Sequence, residues 1–206
     1  MDDEVKNLSN LQIDALSEIG NVGAGNAATS LSIMINRRVE MSVPRVSIIP
    51  ITDIWQVVGS EEEVVCGIFL RALGQAPGSI LFMLPLKTAH QMVDLLMGVP
   101  PETNQELGEI GHSALKELGN ILSGTYLNAL SLFTGLEFIP SVPDLAIDMS
   151  ASILGSLVLP MAEVGDYTLV IETVFSENHK ALVGHFMMFP DPGSLSIILD
   201  KLGVDQ

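Results

Sequence analysis

The sequence holds a single cysteine, Cys66, in 206 residues. One thiol can form neither an intramolecular disulfide nor a cysteine-ligated metal cluster. Its neighbours, Val64-Val65 and Gly67-Ile68-Phe69-Leu70, are apolar, so an inert buried thiol is expected. Positive charge is scarce as well: 9 Lys and Arg stand against 25 Asp and Glu, a formal charge of −16. Such a surface is repelled by phosphate backbones and anionic lipid, and Arg37-Arg38 is the one basic pair. Nucleic acid and membrane are therefore not expected partners. Aromatic residues (1 Trp, 2 Tyr, 7 Phe) are too few for a base-stacking platform. No apolar run reaches the roughly 18–20 residues of a membrane-crossing helix. The opening Met1–Asn7 is acidic and lacks the basic-then-apolar order of a secretory signal, so the chain is read as cytoplasmic. The four histidines show no metal-ligand spacing, and no Gly-x-Ser-x-Gly elbow occurs. No metal, catalytic triad or cofactor of its own is expected.

What the sequence does contain is a repeat. Shifted by 99 residues, Leu11–Ile33 falls on Ile110–Leu132 with eight identities, among them Glu18/Glu117, Gly20/Gly119, Asn21/Asn120 and Gly25/Gly124. The same shift lays Ser42–Ile48 on Ser141–Ile147. Near the end the register slips by six, so that Leu84-Pro85 matches Phe189-Pro190 and Gly98-Val99 matches Gly203-Val204. The chain thus reads as one domain, 1–206, built of two related halves, about 8–99 and 107–204, joined by the Pro-rich, polar Gly98–Glu106.

Each half predicts a long helix, then strands, then a closing helix. The first helix is expected to open at Ser9, with Gln12 three residues on, and the second near Thr103, with Glu106 in the same relation. The β-branched runs Met41–Ile49, Glu63–Leu73, Gly78–Leu84, Val142–Met149, Tyr167–Phe175 and Leu182–Phe189 predict strands. Lys87–Met97 and Gly193–Leu202 predict the closing helices, and Ser150–Pro160 a further helix. The expected class is α+β with pseudo-two-fold symmetry, the halves sharing one sheet on which two long motif-bearing helices pack.

In the first long helix Asp14, Glu18, Asn21 and Gly25 are spaced i, i+4, i+7, i+11 and share one stripe, about 60° wide. Ile13, Leu16, Ala24, Ala27 and Leu31 form one apolar flank, and Ala15, Ile19, Val22 and Ile33 the other. Ser113, Glu117, Asn120 and Gly124 repeat the stripe, flanked by Leu115, Tyr126 and Leu130 and by Ala114, Leu118 and Ile121. Burying a lone carboxylate is costly, so each stripe should face solvent or a partner. Glu and Asn three apart bring their tips together. The carboxylate can pair with a cation or act as a base; the carboxamide both donates and accepts, which suits it to hold a water for attack. One such pair alone would be read as a solvated face; the repetition makes it a candidate site. The glycines Gly20, Gly23 and Gly25 also admit close helix packing, and they form no nucleotide loop, because no strand precedes them and no Lys-Ser/Thr follows.

The stretches Asp14-x-x-x-Glu18-x-x-Asn21-x-x-x-Gly25 and Ser113-x-x-x-Glu117-x-x-Asn120-x-x-x-Gly124 resemble the paired signatures of the CheC family of bacterial chemotaxis phosphatases. The similarity runs on through Ser42–Ile48, Ser141–Met149 and Phe186–Leu195, and within the wider CheC/CheX/FliY group two Glu/Asn pairs favour the CheC branch. The resemblance implies a hydrolase that removes the aspartyl phosphate of the response regulator CheY. Asn21 and Asn120 would orient the attacking water, Glu18 and Glu117 would engage the regulator's active-site lysine, and Asp14, Ser113, Gly25 and Gly124 would support or dock. The Mg²⁺ would belong to CheY. The resemblance further implies a second partner, the deamidase CheD, with Asp148 and the apolar stretch after it as its contact. The alternative is a non-catalytic adaptor for phosphorylated CheY or CheD.

Overall fold

The computed structural model describes residues 10–50, 53–54, 60–103, 106–162, 167–177 and 180–203. The elements run α1 (Asn10–Ile35), β1 (Glu40–Pro50), β2 (Val64–Gly74), β3 (Gly78–Pro85), α2 (Leu86–Met97), α3 (Glu109–Thr134), β4 (Phe138–Pro140), β5 (Asp144–Met149), α4 (Ser150–Ala162), β6 (Tyr167–Glu177), β7 (Lys180–Pro190) and α5 (Ser194–Lys201). Strands β1, β2, β3 and β7 end at Pro50, Gly74, Pro85 and Pro190, and the expected strands, Val142–Met149 included, lie within about three residues of those observed.

Among the described residues one 7-stranded sheet takes all the strands, in the order β1-β6-β7-β3-β2, with β4 and β5 both on the outer edge of β2. Every pairing is antiparallel. The order is symmetric about the central β7–β3 pair, and it interleaves the halves. Strand β1 of the first half pairs with β6 of the second (Val46 opposite Ile171), while β5 of the second pairs with β2 of the first (Leu145 opposite Ile68). The expected shared sheet is therefore present, and neither half completes its set of strand pairs alone.

Alternation along the strands sorts the core onto two faces. Ile68, Leu70, Ile80, Phe82, Leu84, Ile171 and Phe186 join residues of α1, α2, α3 and α5 in the larger cluster. Val65, Leu81, Met83, Val170, Met187 and Phe189 meet Ile153 and Leu154 of α4 in the smaller one. Cys66 is fully buried, and burial pushes its thiol up to about 12, which keeps it inert. Between the long helices, a Cβ at Gly23 would lie 2.6 Å from the Tyr126 ring. The bare glycine lets that ring lie between α1 and the sheet, 4.4 Å from the ring of Phe186, with its hydroxyl 3.3 Å from Thr173 Oγ1.

Four expectations change. The second long helix opens at Glu109 behind Gly108, not near Thr103. The Thr103 hydroxyl instead donates to the Pro100 carbonyl and closes a turn of the linker. Strand β5 begins at Asp144 rather than Val142, since Pro143 has no N–H for a ladder. The three-residue β4, with Ile139 opposite Leu73, was not expected. Finally, Ile13 and Ile33 of the expected apolar flanks are 38% and 77% exposed, because they lie past the angles and lengths that the sheet and α3 cover. The Ser9 cap falls outside the described residues.

Candidate functional site

Helix α1 is seated by its small and aliphatic side: Leu16, Ile19, Ala24, Ala27 and Leu31 are buried. A Cβ at Gly20 would come 3.3 Å from Val43 of β1, so the helix backbone lies close on the sheet there. Opposite that side Asp14, Glu18, Asn21 and Gly25 are all exposed. Helix α3 repeats the arrangement. Leu115, Leu118, Leu122, Tyr126 and Leu130 are buried, and a Cβ at Gly119 would lie only 2.5 Å from Ile68 of β2. Ser113, Glu117 and Asn120 are exposed and Gly124 is half-buried. The structure thus brings each set of four onto one outward row, and the two rows lie on neighbouring helices.

Six of the eight identities between the helices divide by what they do. Leu16/Leu115 and Leu31/Leu130 fill the core, and Gly20/Gly119 let the helices approach the sheet. Ser32 bonds both the N–H and the carbonyl of Val39, and the Ser131 carbonyl accepts from Gly135 at the helix end. Glu18/Glu117 and Asn21/Asn120 have no such work. Among the described residues their side chains make no hydrogen bond or ion pair within the chain. Lys116, next to Glu117, lies 3.8 Å from Asp144 instead. Of the leading pair, Asp14 presents a charge, whereas the Ser113 hydroxyl donates to the Glu109 carbonyl of its own helix at 2.9 Å.

An unpaired carboxylate beside an unpaired carboxamide can grip a cation and a water at once. The setting also says what kind of molecule is met. Small-molecule sites are concave and mostly apolar. Each row here is a convex helix face. Two hollows among the described residues lie elsewhere, one at the C-terminal end of α1 (Thr29, Ser32, Ile33, Arg37) and one between α2 and the linker (Gln91, Leu95, Val99, Pro101). A face of this shape suits a macromolecule that brings its own cleft.

Asp148 is not brought to either row. It lies exposed on the edge strand β5, where its carboxylate accepts from the Met149 N–H at 2.7 Å. Sequence reasoning missed two side chains that continue the rows. Leu11 and Ile110, at matching positions, are 59% and 69% exposed and fall in line with Glu18 and Glu117. Their apolar character in both halves is visible in the aligned repeats, at positions seven residues before the motif glutamates. Among the described residues no group of three or more His, Cys, Asp or Glu side chains could hold a metal, and no helix is long and apolar enough to cross a membrane.

Comparison with known proteins places this geometry. The CheC-like family model matches twice, over residues 11–48 and 110–147, the same 99-residue offset as the internal repeat. The CheY-P phosphatase CheC of Bacillus subtilis is 36% identical over 196 residues, which cover 93% of this chain and 94% of that protein. The flagellar motor switch phosphatase FliY of the same organism is 32% identical over 129 residues, 62% of this chain but 33% of that protein. The crystal structure of Thermotoga maritima FliY has the same fold, with a TM-score of 0.78 at 21% identity, covering 97% of this chain and 99% of that one. With two matched motif helices, their seating on one shared sheet and a full-length relative at this identity, the chain belongs to the CheC-like family.

Proposed function

We propose that this chain is a phosphatase that accelerates hydrolysis of the aspartyl phosphate of CheY in chemotaxis signalling. The observation that carries the reading is the pair of outward Glu-Asn rows whose side chains find no partner among the described residues. Water attacks phosphorus, the bond between phosphorus and the aspartyl oxygen breaks, and inorganic phosphate and a free carboxylate leave. Asn21 and Asn120 hold the water in line through the carboxamide. Glu18 and Glu117 fix the pose by accepting from the regulator's lysine, with Asp14 and Ser113 at the margin of the contact. The Mg²⁺ comes with CheY, and the work is done in the cytoplasm. Catalysis of phosphoryl transfer is largely positioning and charge, so a helix face that places one water is enough to contribute. CheD is the second partner in this reading, docking at the β5 edge around Asp148, where Ile147 and Met149 are also exposed.

The test follows the decay of phosphorylated CheY alone and with catalytic amounts of the chain. The wild type is expected to shorten the lifetime. If it leaves decay at the spontaneous rate while still binding the regulator, the protein is an adaptor and the enzyme reading fails.

A further inference from the structure

The two motif helices contain six glycines, and four of them have a reason inside the fold. A Cβ would meet Val43 at Gly20, Tyr126 at Gly23, Leu107 at Gly111 and Ile68 at Gly119, all within 3.3 Å. Gly25 and Gly124 differ: a Cβ at either would meet nothing within 4 Å, and neither has the positive φ that would require glycine. Glycine in a helix interior is nevertheless destabilising relative to alanine. Like Gly20 and Gly119, these two coincide in the repeat, and each stands four residues after the motif asparagine on the outward row. Gly155 of α4 shares the open space but has no such place in a repeated row.

A residue that costs helix stability, is required by no neighbour and stands in both rows points to a neighbour outside the chain. We propose that Gly25 and Gly124 are close-approach points for phosphorylated CheY, where the regulator's surface lies directly on the helix backbone. At i+4 from Asn21 and Asn120, the bare backbone sits one turn along the same face, about 6 Å up the axis. A methyl group there would hold the regulator off by a fraction of its own diameter and weaken its docking on the row. Gly25 and Gly124 are thus positioning residues, and they limit the partner to one whose cleft rim is flat enough to touch a helix backbone. This inference rests on the phosphatase reading above.

The experiment isolates one site at a time. Gly25→Ala is made in the Asn120→Ala protein and Gly124→Ala in the Asn21→Ala protein, and each is compared with its parent in steady-state dephosphorylation of CheY and in thermal unfolding. The expected result is a higher unfolding midpoint together with a KM raised about tenfold, the size of loss when a close-packed contact is opened. Gly155→Ala, off the rows, should raise the midpoint and leave KM unchanged. An unaltered KM at Gly25→Ala and Gly124→Ala, with active parents, overturns the proposal and leaves the phosphatase reading standing. A lowered midpoint also overturns it, since the fold would then need the glycines. Failure of the wild type to accelerate decay would instead remove the reading on which it rests.

Discussion

On α1 the Glu-Asn pair follows Asp14 and has Ser17 beside it; on α3 the matching positions are Ser113 and Lys116. The first row therefore carries two carboxylates and no cation, while the second carries one carboxylate with a lysine next to it, which Asp144 holds only loosely at 3.8 Å. The seating differs too. At Gly20 the sheet leaves 3.3 Å for a Cβ, at Gly119 only 2.5 Å. Across the two helices, what is shared is the outward Glu, Asn and Gly and the inward Leu and Gly. What has diverged is the charge around the row and the tightness beneath it. On the proposed phosphatase reading, the shared groups are those the reaction would need and the diverged ones would set how each site meets a phosphorylated partner.

Removing the shared carboxylate should have the largest effect. With only one site left intact by Asn→Ala at the other, Glu18→Ala and Glu117→Ala should each lower the remaining kcat/KM on the order of a hundredfold, the scale for truncating one partner of a desolvated charge pair. Equal losses at the two sites would support the common role; a loss at only one would break the comparison.

The seating should show next, in stability. Gly119→Ala drives a methyl into Ile68 and should cost about 1–3 kcal/mol in chemical denaturation. Gly20→Ala meets Val43 at 3.3 Å and gains helix propensity, so it should stay within about 1 kcal/mol of wild type.

The divergent charges should give the smallest effect. Converting the first row to the second (Asp14→Ser with Ser17→Lys, in the Asn120→Ala protein) should raise kcat/KM about threefold to fourfold at low salt. That is the size expected for two unit charges roughly 10 Å from the phosphoryl group in water. The gain should fade as salt is raised, and a gain that persists at high salt would point to a contact rather than to the field.

Much of this was legible in the sequence, for reasons that differ by feature. The strands announced themselves because β-branched runs end at Pro or Gly, and the rows did because a polar stripe on an apolar helix has few places to face. The start of α3 was misplaced because Thr103 and Glu106 imitate a capping box, while Gly108 at the helix N-terminus settles the start. Ile13 and Ile33 were misread because a helical wheel gives angles, not how far the neighbouring elements extend. The three-residue β4 is a tertiary event, created by β2 offering an edge beyond the reach of β5. The substrate was not legible in residue chemistry at all; it came from family resemblance.

The central claim is that two outward Glu-Asn rows each complete an active site that the partner supplies. The most direct measurement is the lifetime of phosphorylated CheY with the wild type, Asn21→Ala, Asn120→Ala and the double variant, each checked for unaltered folding. The account predicts that either single variant still shortens the lifetime, while the double variant returns it to the spontaneous value. A double variant that accelerates decay as well as the wild type would contradict it.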